Sequence, residues 1–245
     1  MAKELRKLNK GGELSWILGL LLIPLGVVIC SKADLGISVL SAPSFIIYEA
    51  IEDLVPFFTV GVVEYLVQAV LAILLCIIVG KVKLNFILAI FVGVIYGYIL
   101  DMWMLILGPD LFEAVWLRYV MLIVGDICIA TGVAFFFITY LPIQSYDMFV
   151  KGIAQRYKIS LNVVKPIYDL SLLVISLVLA FTLFGDAKEF NWADIYKTSF
   201  HSLGVGTLIT AFVSSPIIAV ASKIVNKFFG EDPLIPKLKQ FFDNH

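Results

Sequence analysis

The chain has 245 residues, of which 61% are apolar and only 15% charged, with a mean hydropathy of +1.00. These values exclude a soluble globular domain and place the chain among polytopic membrane proteins. The net charge of −1 says nothing about nucleic acid, but there is no basic block to bind it, and no nucleic-acid partner is expected.

Crossing the hydrocarbon takes about 20 apolar residues in a helix, and six segments qualify. The first is Leu14–Cys30. Lys3, Arg6 and Lys7 precede it as in a signal peptide, yet no A-x-A-like cleavage site follows, so it reads as an uncleaved span. It is short and carries Pro24, which predicts a kink or local bilayer thinning. Phe57–Val79 and Leu84–Leu107 come next, separated by Gly80-Lys81-Val82-Lys83. Gly108-Pro109-Asp110 ends the third span, and Val115–Thr139 is the fourth. Leu161–Phe184 is the fifth, closed by Gly185-Asp186, and Thr198–Ala221 is the sixth. Two connections are too long for simple turns: Ile37–Ile51, with Ser38, Ser41, Ser44 and Glu49, and Ser145–Tyr157, with Asp147 and Lys151 beside Gln144. Each is either an interfacial amphipathic helix, which needs no buried backbone, or a short re-entrant piece dipping into a cavity. The tail after Gly230, with Pro233 and Pro236, reads as a cytoplasmic extension.

Orientation follows from lysine and arginine placement. With the N-terminus in the cytoplasm, the inner segments hold Lys3, Arg6, Lys7, Lys10, Lys81, Lys83, Lys151, Arg156, Lys158, Lys165, Lys223, Lys227, Lys237 and Lys239. The outer ones keep only Lys32, Arg118, Lys188 and Lys197 of the 18. The expected location is a plasma membrane, multi-pass, with both termini cytoplasmic.

Paired features suggest that the first three spans occur twice. Gly19-x6-Gly26 before Leu35-Gly36-Ile37 is echoed by Gly125-x6-Gly132 before Leu141-Pro142-Ile143. Val62-Val63-Glu64 with Gln68 is echoed by Val163-Val164-Lys165 with Asp169. An odd number of spans reverses direction between copies, so the expected fold is an all-α polytopic membrane protein of six transmembrane helices in two inverted three-helix repeats, plus the short amphipathic or re-entrant helices. All of it forms one membrane domain over 1–245, with repeat one at about 13–108, repeat two at about 113–224 and a tail at 225–245.

Further residues resemble a known family. Gly26-Val-Val-Ile-Cys-Ser-Lys followed by Ala33-Asp34-Leu35-Gly36-Ile37-Ser38, then Thr59-Val60-Gly61, Lys81-x-Lys83 and Asp101-Met102-Trp103 resemble the YczE/YyaS/YitT group of bacterial integral membrane proteins. In the second half the resemblance runs through Leu141-Pro142-Ile143-Gln144-Ser145-Tyr146-Asp147 and Gly204-Val205-Gly206-Thr207. Where the group has proline-tryptophan after the serine, this chain has Val39-Leu40. The resemblance implies an integral membrane fold and names no solute.

Ionisable groups at membrane depth cost roughly 2.5–3.5 kcal/mol each on insertion scales, so each wants a reason. Glu64 and Gln68 share a face of the second span; Gly93, Gly97 and Asp101 share one on the third, a small-residue stripe that lets another helix approach. Asp126 lies deeper, on the fourth, with Ala130 and Ala134 on its face. Lys165 and Asp169 share a face of the fifth, where the simplest reading is an ion pair whose lysine snorkels to the surface. Arg118 reads as a snorkeller or a partner of Asp101 or Asp126, and His201 as interfacial. Trp16, Trp103, Trp116 and Trp192 read as interfacial belts, and Gly12, Gly19 and Gly26 as a packing face. Cys30, Cys76 and Cys128 lie far apart in apolar segments and read as packed small hydrophobes.

With no H-E-x-x-H, Walker loop or G-x-S-x-G, and only two histidines (His201 and His245), no enzyme activity, cofactor or metal is expected. The expected function is secondary transport of a small solute by alternating access, with proton coupling as an option. Glu64, Gln68, Asp101, Asp126 and Asp169 are the candidate solute or proton site. The alternatives are a solute-binding subunit of a larger transport complex and a non-transporting membrane scaffold or sensor docking through Lys151–Lys158. Expected partners are the lipid bilayer, the solute, and either a second copy or another membrane protein.

Overall fold

The computed structural model describes residues 11–82, 84–108, 112–185, 194, 196–230 and 233–243. Expectations placed on Lys3, Arg6, Lys7, Lys10, Lys83, Pro109, Asp110, Asp186, Lys188, Trp192 and His245 lie outside the described residues. Among the described residues the structure is helical, apart from an isolated Phe200–Leu203 bridge. In chain order the helices are α1 (Gly12–Ala33), α2 (Ala42–Ile51), α3 (Val60–Val79), α4 (Leu84–Leu107), α5 (Val115–Ile138), α6 (Ser145–Tyr157), α7 (Leu161–Phe184), α8 (Val205–Phe228) and α9 (Pro236–Asp243). All but α2, α6 and α9 are long and apolar enough to cross a membrane, which makes this a multi-pass membrane protein. Outward-facing Ile73, Ile77, Phe91, Leu105 and Phe212 are exposed in the isolated chain and meet lipid tails in a bilayer.

Local chemistry sets the helix ends. Thr59 caps α3 by accepting a hydrogen bond from Val62 N at 3.2 Å. Gly80 ends α3 at φ 71°, a left-handed conformation that glycine reaches without strain. Asp34 ends α1 the same way at φ 51°. Proline lies inside α1 (Pro24), α7 (Pro166) and α8 (Pro216). Four expected spans differ from the structure: α3 starts at Val60 instead of Phe57, α5 ends at Ile138 instead of Thr139, and α1 and α8 are shifted further, α8 ending at Phe228 instead of Ala221. α1 runs 22 residues, about 33 Å at 1.5 Å per residue, so it spans without bilayer thinning. α8 begins at Val205 instead of Thr198, because the preceding residues pack as an irregular segment on the end of α1. There Ile37 N donates to Ser202 O at 3.0 Å and Gly206 N to Leu35 O at 2.6 Å.

α1 and α5 form the centre: 50% and 61% of their most apolar stretches are buried, against 28–33% for the other four spans. They cross antiparallel through glycine, with Gly19 against Gly132 and Gly26 against Gly125. Without Cβ atoms the two backbones come together as closely as small-residue membrane interfaces allow. α3 packs on α4 through Gly61 and Gly97, where the small-residue stripe on α4 was expected to admit a helix. Glu13, on the first turn of α1, accepts the Tyr140 hydroxyl and the Leu234 and Ile235 amides ahead of α9. The tail is thereby tied to the end of the bundle where α1 starts, called the terminal end below. The opposite end is the far end.

α2 and α6 occupy the two long connections. Both begin in the interior: Ala42, Pro43, Ser44, Phe45 and Ile46 of α2 are buried, as are Ser145, Tyr146 and Asp147 of α6. From there α2 runs toward the far end and α6 toward the terminal end, where Gln155, Arg156 and Tyr157 are exposed. Each has an apolar wall at its start and solvent at its finish, the arrangement of a dipping segment.

Candidate functional site

Glu64 and Gln68 lie one turn apart on one face of α3, both fully buried, and the N-termini of α2 and α6 abut that face. Ser41 Oγ donates to Glu64 Oε1 at 3.2 Å, and the Ser145 amide to Gln68 Oε1 at 3.3 Å. Between the two short helices, Ser44 Oγ and Tyr146 Oη are 3.1 Å apart. Pro43 suits the first turn of α2, where its missing N–H would have no intrahelical partner. Asp147 in the first turn of α6 faces that helix's positive end and accepts from Gln144 Nε2 at 3.0 Å. Two helix N-termini therefore turn their positive dipole ends to one buried place, and the Ser145 amide already donates there to Gln68, partly offsetting the cost of Glu64.

Beside this lies a second group, on α5, α7 and α8. Lys165 Nζ contacts Asp169 Oδ1 at 2.6 Å with both side chains buried. The ion pair is as expected, but the lysine turns inward instead of snorkelling, because polar neighbours receive it there. Asp126 on α5 accepts from Ser214 Oγ on α8. Asp126 and Asp147 both lie within electrostatic reach of Lys165 and Asp169. Tyr168 spans the two groups, within reach of Glu64, Asp147 and Asp169. Among the described residues the buried charges are Glu64, Asp126, Asp147 and Asp169 against Lys165 alone. Such an excess of acids in an apolar interior is a place for taking up protons or positive charge.

Glu64 Oε2, Gln68 Nε2, Gln144 Oε1, Ser145 Oγ, Asp147 Oδ1, Tyr168 Oη and Asp169 Oδ2 are buried with no hydrogen-bond partner among the described residues. A buried polar atom left unpaired costs about 1–3 kcal/mol, so their concentration here points to a solute or ordered water at this junction. A cleft of about 390 Å³ runs from the terminal end, between the end of α5, the start of α7 and α8, down to Lys165 and Ser215. At the far end a separate cavity of about 220 Å³, lined by Asp34, Glu49, Ser199 and Ser202 among others, stops at Phe45, Tyr48 and Val60.

The structure brings Glu64, Gln68, Asp126 and Asp169 together and sets Asp101 apart. Asp101 Oδ1 accepts from Gly61 N at 2.9 Å and Oδ2 from Thr59 Oγ1 at 2.6 Å, so it staples the start of α3 to α4. Losing such a cap costs about 0.5–2 kcal/mol. Asp101→Ala is therefore expected to lower the melting temperature in detergent while leaving solute binding at the wild-type affinity; weakened binding at unchanged stability would reassign it to the site. Arg118 meets neither Asp101 nor Asp126. It bonds Asp34 Oδ2, Phe112 O and Lys197 O, each at 3.0 Å, and Asp34 also accepts from Thr198 and Ser199. His201 lies ahead of α8, at the far end of the bundle: at φ 44° it stacks on Phe184 with ring centroids 3.6 Å apart and contacts Glu49, which Ser202 also bonds. Burial raises the Glu49 carboxyl above its ordinary pKa, against the opposing effects of Ser202 and His201. Trp16 and Trp103 bond the Pro142 and Leu21 carbonyls, so they hold segments together as well as facing outward. Sequence reasoning named Ser41, Ser44, Gln144, Ser145 and Asp147 only as loop polarity and missed Tyr146 and Tyr168. Their signal was the run of small hydroxyls in an otherwise apolar connection.

Fold and junction together define a multi-pass helical membrane protein with a buried polar core. The chain belongs to DUF6198, a family of unknown function, whose model matches residues 12–223. That match covers α1 and all but the last residues of α8, and excludes α9. No curated protein matches the chain, and no solved structure does.

Proposed function

We propose that this chain is a secondary transporter of the bacterial plasma membrane, moving a small solute by alternating access. It acts without enzymatic chemistry, cofactor or metal, and Glu64, Asp126 and Asp169 exchange protons or contact a cationic group. The observation that carries the reading is the junction: two short helices that start in the interior and aim their N-termini at unpartnered buried polar atoms. Broken or dipping helices with inward N-termini are how transporters build sites at membrane depth.

The same reading makes the two halves inverted repeats, and the packing supports it. Gly19 faces Gly132 while Gly26 faces Gly125, which is what a two-fold axis between α1 and α5 requires if Gly19 corresponds to Gly125 and Gly26 to Gly132. Around that axis α3·α4 pairs with α7·α8, α1·α4 with α5·α8, α2·α3 with α6·α7, and α3·α6 with α2·α7. The resemblance to the YczE/YyaS/YitT group adds a bacterial setting. The lysine bias makes the terminal end cytoplasmic, so the 390 Å³ cleft opens inward.

Two measurements test this. The chain purified alone and reconstituted with a pH-sensitive dye inside liposomes is expected to give solute-dependent proton movement when offered pools of small metabolites. Binding in detergent without flux would make it a solute-binding subunit, and neither would leave a scaffold. For topology, single cysteines in a cysteine-free background at exposed Asp53 and Gln155 are expected to label oppositely with an impermeant maleimide in intact cells, Asp53 reacting. Reaction at Gln155 alone reverses the orientation.

A further inference from the structure

The cleft at the terminal end has a chemistry of its own. Asn162, Lys165, Ser215, Ser222, Lys223 and Asn226 supply its polar lining, against apolar walls from Phe137, Ile138, Leu161, Ile218 and Ala219. Among the described residues that lining is two lysines with amides and hydroxyls, and it contains no carboxylate. A cation entering the cleft is met by Lys223 and Lys165 in its lining, whereas an anion finds donors there. At the floor, Lys165 is held by Asp169, whose Oδ2 accepts no hydrogen bond and has the Ser215 hydroxyl nearby.

We propose that the cleft binds a small anion carrying a carboxylate or phosphate group, and that this anion displaces Asp169 from Lys165 while Asp169 takes up a proton. The exchange balances: the Lys165 ammonium–Asp169 carboxylate pair plus one anion and one proton gives a Lys165 ammonium–anion pair plus a neutral Asp169 carboxylic acid. The net charge of the site is unchanged. The neighbours are what make the proton obligatory. Asp169 is faced by Asp126 from α5, by Asp147 from α6 with Lys151 beside it, and by Tyr168 on its own helix. α8 supplies the Ser215 hydroxyl beside Asp169, the Ser214 hydroxyl on Asp126 and, elsewhere in the cleft lining, Lys223, while the acid of α2 nearest the core, Glu49, is engaged with His201 and Ser202. An anion arriving without a proton would add negative charge beside three carboxylates in an apolar interior. The coupling step rests on the transporter reading; the anion site does not.

The test is titration calorimetry of the full-length purified chain in two buffers of different protonation enthalpy. The probes are sodium lactate and sodium phosphate, with methylammonium chloride as the cationic control. The expected result is binding of at least one of the two anions with uptake of about one proton per anion, and no binding of methylammonium. Lactate and phosphate distinguish a carboxylate solute from a phosphate one. Lys165→Met is expected to weaken anion binding by about tenfold or more, as loss of a charge-assisted partner does. Asp169→Asn is expected to bind the anion with no proton uptake, and it decides the matter should Lys165→Met fail to fold. Binding of neither anion overturns the proposal, as does preferred binding of methylammonium or undiminished proton uptake in Asp169→Asn. Flux in liposomes with no anion binding removes this site and leaves the transporter; anion binding with no flux does the reverse.

Discussion

Gly26→Leu is expected to abolish monodisperse folded protein. A Cβ at Gly26 falls 2.7 Å from Ile129 Cγ1 and 2.8 Å from the Ile129 amide nitrogen, and it also collides with the Gly125 carbonyl. The obstacle is largely backbone of α5, so no rotamer change relieves it, and the two central helices must separate. Overpacking alone costs about 1–3 kcal/mol, and separation adds the contacts of the best-buried pair in the molecule, against a total stability of about 5–15 kcal/mol. Gly80→Ala is the control. None of the described residues comes within 4 Å of its Cβ, so it pays only the left-handed strain at φ 71°, about 1–2 kcal/mol. Size-exclusion profiles and melting curves in detergent read both; a native-like Gly26→Leu would refute the glycine crossing.

Glu64→Gln and Asp126→Asn, made separately, are expected to fold normally and to lose solute-driven proton movement by about tenfold or more. Each amide keeps the size of the side chain and the hydrogen bond from Ser41 or Ser214, and removes only the titration. Glu64→Ala instead removes the Ser41 bond and leaves a hole beneath two helix N-termini. It should therefore lower the melting temperature, where the amide does not. Dye-reported flux over a range of pH, beside melting curves, separates a group that moves protons from one that merely packs. Full flux and binding in both amide variants would leave Glu64 and Asp126 as interhelical hydrogen bonds.

Much of the fold was legible because membrane helices announce themselves by composition and stop at glycine and proline. α4 and α7 have the bounds read from the sequence, each preceded by a polar turn. α8 did not, because Thr198–Gly204 leads without a proline or charge run into an apolar stretch, and the segment's real partners, Leu35 and Ile37, lie far away in the chain. The same distance hid other roles. Glu64, Gln68, Asp126 and Asp169 stood out through the cost of burying them, but Asp101 finds its partners 40 and 42 residues away, and Arg118 finds Asp34 at a separation of 84. Nor did spacing reveal that α2 and α6 start in the interior, since that depends on which walls surround their first turns.

Pro166 stands immediately after Lys165 and three residues before Asp169, so the buried ion pair is strung across the weakest joint of α7. Proline has no N–H, and the Asn162 carbonyl one turn earlier therefore receives no helical bond from it. The opening turn of α7, which carries Lys165 and forms one lip of the cleft, is consequently fastened to the rest of the helix partly by the side-chain tie between Lys165 and Asp169. Undoing that tie removes a strut as well as a charge. In the proposed exchange the lysine changes partner at that same strut, so anion binding would loosen the turn that forms one lip of the cleft.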